Sequence, residues 1–157
     1  VGSEMCIRDS ANIMWCGTIA HNGTCGVGCE EDWASHFLEH EVSAIYNVTH
    51  GAGLSVIVPA WMTFMAGHNP KKIARFANRV FGVPESEDLE EMALAGVSRL
   101  KHFFRFIGLP VNFKELGIEN PDINRLADSL HRNKGEFVGN YVKLTKQDSK
   151  EIYRLAL

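Results

Sequence analysis

Residues 32–62 read DWASHFLEHEVSAIYNVTHGAGLSVIVPAWM, and both the fold and the chemistry of the chain turn on them. Ala34, Phe37, Leu38, Val42, Ile45 and Tyr46 recur at helical spacing, which predicts a helix from about Asp32 to Tyr46. Glu30, Glu31 and Asp32 place negative charge at its start, where the helix dipole favours it. Asn47-Val48-Thr49 breaks the pattern, and Thr49 suits the N-cap of a second helix opening at His50. From Leu54 to Met65 that helix is apolar on nearly every side, as a helix central to a bundle is. Pro59 is expected to bend it, because its ring and missing N–H disturb the preceding turn.

Three histidines fall within these two helices. His36 and His40 are four apart and project from one helical face about one turn apart. His50 opens the second helix and is placed to face them. One reading is a metal site, since neutral imidazole suits Zn²⁺ and Fe²⁺ and ligands from facing helices are a common arrangement. The other is three core histidines, each bonded to a backbone carbonyl. Three imidazoles between positions 36 and 50 favour the metal.

Outward from this stretch, helical patterns alternate with Gly and Pro punctuation. Residues 11–22 place Ile13, Met14, Trp15, Ile19 and Ala20 near helical spacing and predict a buried helix, ended by Asn22-Gly23. Helices are also predicted over 70–81, 88–107, 121–133 and 146–157, with Pro70 and Gly82 at the ends of the first of these. Residues 135–144 are the only candidate for extended backbone. The fold class is all-α, a multi-helix bundle of six to eight helices.

A chain of 157 residues with 45% hydrophobic side chains supports one core. With a net charge of −3 and no basic block, nothing points to nucleic acid or an anionic membrane surface as a partner, and a small molecule is the expected one. The longest apolar run, residues 53–66, is shorter than the ~20 residues that a spanning helix needs. Cys6, Cys16, Cys25 and Cys29 follow no secretory signal, so free thiols in a reducing cytoplasm are expected, with Cys16 and Cys25 as packing or loop residues. Cys25 and Cys29 lack the second pair that a zinc ribbon needs. His68, His102 and His131 read as surface or half-buried histidines.

The first ten residues, VGSEMCIRDS, carry neither apolar periodicity nor turn logic and look like a translated sequencing adapter. The expectation is a non-native leader over 1–10 and a helical domain over 11–157, the tail of a longer protein.

Two chemistries use the histidine stretch. His36-Phe37-Leu38-Glu39-His40 fits H-x-x-E-H, the inverted zincin motif, with both histidines on zinc and Glu39 as general base. That peptidase reading leaves His50 without a role and needs a further ligand, for which Glu85, Glu87, Glu90 and Glu91 are available. A non-enzymatic helical binding domain is the third possibility.

The other chemistry comes from a resemblance. His36-x-x-x-His40, then Tyr46-Asn47-Val48-Thr49-His50-Gly51-x-Gly53-Leu54 and Pro59-Ala60-Trp61-Met62, resembles the C-terminal helical domain of iron-containing alcohol dehydrogenases, closest to their butanol-dehydrogenase-like branch. Residues 11–15 (ANIMW), Asp32-Trp33, Glu39-His40-Glu41-x-Ser43-Ala44 and Ile107-Gly108-Leu109-Pro110 add to it. The resemblance implies that His36 and His50 are two of four metal ligands. It implies that His40 lines the site near substrate and nicotinamide and helps relay a proton. Glu39 becomes a charge behind the site or on the helix surface.

The implied activity is hydride transfer between NAD(H) or NADP(H) and a primary alcohol or aldehyde, with Fe²⁺ or Zn²⁺ as the metal. The family often forms homo-oligomers. Its other two ligands, an Asp and a His, and its nucleotide-binding domain have no counterpart here, so this chain by itself is expected to be inactive.

Overall fold

The computed structural model describes residues 4–157, with side chains from Cys6 onward. The chain divides between Glu31 and Asp32 into two compact units. The first holds α1 (Glu4–His21) and a 3-10 turn (Thr24–Gly26). The second holds α2 (Ala34–Tyr46), α3 (His50–His68), α4 (Lys71–Phe81), α5 (Leu89–Phe106), α6 (Ile123–Lys134) and α7 (Lys146–Leu155). Among the described residues the only β pairing is a single antiparallel bridge between Val138 and Leu144, inside the segment predicted to be extended. The all-α expectation holds.

Three features differ from the sequence reading. α1 begins at Glu4, seven residues ahead of the predicted helix start at Ala11. It is also exposed rather than buried: Ile13, Met14 and Trp15 are 73%, 73% and 65% exposed. Cys16 is exposed with them, as are the other three free cysteines. Apolar spacing reports which residues share a face, not whether anything covers it. The third difference is that α2 starts at Ala34 and has no acidic residue in its first turn.

Asp32 explains that later start. One carboxylate oxygen accepts the Ala34 N–H at 2.7 Å, and the other accepts the Tyr141 N–H at 2.7 Å and the Asn140 N–H at 3.2 Å. The side chain thus satisfies a free helix-start donor and anchors the 139–141 loop to the entry of α2.

α3 is the central element of the second unit and packs on α2, α4, α5 and α7. Val56, Ile57 and Met65 are fully buried, as expected for a helix apolar all round. The helix continues through Pro59, and Thr63 Oγ1 donates to the Pro59 carbonyl at 2.8 Å. α4 and α5 meet at Ala77 and Gly96, where a Cβ on Gly96 would overlap the Ala77 side chain. Asp88, Asp122 and Thr145 cap α5, α6 and α7, with Asp148 closing a capping box at Thr145. No helix among the described residues is long and apolar enough to cross a membrane.

Candidate metal centre

α2 presents His36 and His40 one turn apart, and α3 begins at His50 after Asn47 turns the chain in a left-handed conformation (φ 53°). Thr49 occupies the N-cap position of α3, but its side chain makes no capping bond. The turn brings the three imidazoles together. One ring nitrogen from each of His36, His40 and His50 lies within 4.8 Å of the others. Ring centroids are 5.4 Å apart for His36 and His50 and 5.2 Å for His40 and His50. Trp33 packs against the His36 ring at 5.0 Å. His36 is partly buried, whereas His40 and His50 are exposed, so the cluster opens to solvent on one side.

Glu39 lies behind this cluster, and its environment decides between the two chemistries. It is fully buried. Its Oε2 accepts from His50 Nδ1–H, and its Oε1 accepts from Ser43 Oγ–H. This bond occupies His50 Nδ1, and Nε2 is the ring nitrogen left outside it. Glu39 is therefore neither a helix-surface charge nor a water-activating base, because both oxygens are engaged away from solvent. Glu85, Glu87, Glu90 and Glu91 are exposed, at the start of α5 or just ahead of it, and none belongs to the histidine cluster. The peptidase reading loses both its base and its further ligand.

Two residues with no role in the sequence reading complete the arrangement. Ser43 is one turn after Glu39 on α2, and Gly53 is one turn after His50 on α3. A Cβ on Gly53 would overlap the Glu39 carboxylate and methylene, so the absence of a side chain there makes room for the acid. The spacings Glu39-x-x-x-Ser43 and His50-x-x-Gly53 were visible in the sequence, but their meeting depends on how α2 and α3 pack.

His68, His102 and His131 stand where the sequence placed them. His68 is exposed and donates through Nδ1–H to the Phe64 carbonyl at 2.8 Å. His131 is half-buried and donates to the Gly135 carbonyl at 3.0 Å, and His102 is exposed. Behind α2, Tyr153 is buried and donates to the Leu38 carbonyl at 2.8 Å.

The donor set fits a divalent metal of the borderline class. Three imidazole nitrogens converge, and a carboxylate is hydrogen-bonded to the other nitrogen of one of them, the arrangement of carboxylate–histidine pairs at zinc centres. Fold and site together define an all-helical chain in which three imidazoles from two successive helices converge closely enough to hold a metal ion.

The sequence profile of the Fe-containing alcohol dehydrogenase family, C-terminal region, matches residues 3–157, and the chain belongs to that family. A probable NADH-dependent butanol dehydrogenase 1 of Bacillus subtilis is 36% identical over 146 residues, which are 92% of this chain and 37% of the relative. The NADH-dependent butanol dehydrogenase A of Clostridium acetobutylicum is 30% identical over 145 residues, with the same coverage. The crystal structure of NADH-dependent butanol dehydrogenase A from Thermotoga maritima superposes with a TM-score of 0.84 at 38% identity, over 93% of this chain and 38% of that one. Escherichia coli YqhD gives a TM-score of 0.86 at 30% identity, over 94% and 37%. The chain thus spans little more than a third of the length of these relatives.

Proposed function

We propose that this chain carries the helical share of a metal centre in a nicotinamide-linked alcohol dehydrogenase or aldehyde reductase. His36 and His50 are the metal ligands from this chain, and His40 is the residue that faces the substrate. The observation that carries the reading is the convergence of His36, His40 and His50 within 4.8 Å in a chain of this family. The relatives supply the substrate class, since their names specify butanol and, for YqhD, an NADPH-dependent aldehyde reductase. A primary alcohol or its aldehyde is the substrate, NADH or NADPH the hydride carrier, and the reducing cytoplasm the setting in which the four free thiols persist.

A divalent metal held by His36 and His50 would polarise a carbonyl oxygen or lower the pKa of an alcohol, and a bound nicotinamide would supply or take up the hydride. The chain's own residues do the rest. Trp33 steadies the His36 ring from one side. His40 makes only ring contacts among the described residues, and its exposed ring takes a proton from a substrate hydroxyl in oxidation and returns it in reduction.

The test is a Co²⁺ titration of the chain beside His40→Ala and His50→Ala, followed by absorbance. His50→Ala is expected to abolish binding, and His40→Ala to leave most of it. Binding that survives His50→Ala but is lost with His40→Ala overturns the assignment of ligands.

A further inference from the structure

The strongest feature that the proposed function leaves without a role is the pairing of a fully buried acid with a glycine that makes room for it. We propose that Glu39 is a positioning residue: braced by Ser43 and seated on Gly53, it fixes the tautomer and direction of His50 so that an unprotonated Nε2 faces the cluster. The proposal rests on the metal-centre reading for its purpose, but its structural content stands on the hydrogen bonds alone.

Burying a carboxylate is costly unless hydrogen bonds replace the lost water, and Glu39 has no exposed surface. A core position between α2 and α3 would ordinarily be filled by an aliphatic side chain, as it is at neighbouring Leu38 and Val42, both fully buried. The acid here instead bonds Ser43 on its own helix and His50 on the next. The serine bond holds the carboxylate at a fixed rotation, and the histidine bond then fixes the plane of the ring.

Gly53 supplies the space, because any Cβ there would push the carboxylate away from both partners. Three residues, Glu39, Ser43 and Gly53, thus act on a single ring nitrogen of His50. In water a neutral imidazole favours the tautomer with its proton on Nε2, which occupies the nitrogen a metal would need. An acceptor fixed at Nδ1 reverses that preference before any metal arrives, and a bare Nε2 is what ligation requires.

A packing role for Glu39 without a bond to the ring would need the same burial and the same glycine. It would leave the His50 tautomer as water sets it, so the experiment reads the ring directly. Long-range ¹⁵N–¹H correlation spectra are recorded on the metal-free chain at alkaline pH, where the imidazoles are neutral, for the wild type, Glu39→Leu and Gly53→Ala.

The wild type is expected to show His50 protonated at Nδ1. Both variants are expected to move that proton to Nε2, with His36 and His40 unchanged and the helical circular dichroism retained. Co²⁺ affinity should fall about 10–100-fold in each variant. Gly53→Ala keeps the carboxylate in the chain and decides the matter if Glu39→Leu fails to fold.

A wild-type His50 that already carries its proton on Nε2 overturns the proposal. So does a folded variant in which His50 stays protonated at Nδ1. The metal-centre reading fails separately, through a wild-type chain with the expected tautomer whose Co²⁺ binding is indifferent to His50→Ala.

Discussion

At the scale of single residues, the ionisable side chains around α2 are held by partners that the sequence does not announce. Tyr153 shows the consequence for stability. Burial raises its phenol well above the ordinary tyrosine value, and the nearby charges of Glu41 and Glu39 raise it further. The folded chain therefore keeps a proton that the unfolded chain releases, so stability is full below about pH 10 and declines as pH rises beyond it. Tyr153→Phe is expected to cost about 1 kcal/mol at neutral pH through the lost bond to the Leu38 carbonyl. Urea unfolding at pH 8 and above pH 10 should show the wild type losing part of its advantage over this variant as the solution becomes alkaline. The three histidines were legible in the sequence because helical spacing alone puts two on one face and the third at the next helix start. Ser43 and Gly53 were not, since a serine and a glycine acquire a role only when a particular pair of helix faces meets.

At the scale of elements, legibility followed punctuation. Pro70, Gly82, Asp88 and Thr145 interrupt or cap the chain chemically, and the observed helix ends fall at or next to them. Asp32 misled because its carboxylate serves a distant loop as well as the helix start. α1 misled because exposure is not written in apolar spacing. The α4–α5 contact depends on an absent side chain: Gly96→Ala is expected to destabilise the fold by about 1–3 kcal/mol, measured by urea unfolding, because a methyl there meets Ala77 side chain and backbone and the helices must separate. The segment after α5 depends instead on charge. The Arg105 guanidinium, followed by the Val111 N–H, holds the Glu115 carboxyl below the usual carboxylate range. Because the folded pKa is depressed, this contribution is present above the ordinary value and disappears as pH falls through the folded one. In an NMR titration the Val111 amide should shift with a midpoint below the usual carboxylate range, and Glu115→Gln should remove that titration. A Val111 titration at the ordinary carboxylate value would mean that the clip is open in solution.

For the molecule as a whole, the placement of the candidate ligands matters more than their number. His36 and His40 belong to α2 and His50 to α3, and α3 touches four of the other five helices of its unit. A metal bound across α2 and α3 would oppose their separation, and unfolding of the unit around α3 requires that separation. A ligand that binds only the folded state stabilises it by about 2.7 kcal/mol at a hundredfold excess over its dissociation constant. With an unfolding entropy of roughly 2 cal/mol/K per residue, that corresponds to a rise in Tm of about 10 °C for a unit of this size. Calorimetry of the chain with Zn²⁺ at such an excess should show the rise, and EDTA should reverse it. His50→Ala should melt at one temperature whether or not zinc is present, since the clamp needs a ligand from α3. A rise that persists in His50→Ala would place the bound ion elsewhere on the chain, with the four exposed thiols as the first alternative; a Tm unmoved in the wild type would mean that the helices hold the imidazoles together without the metal adding to their stability.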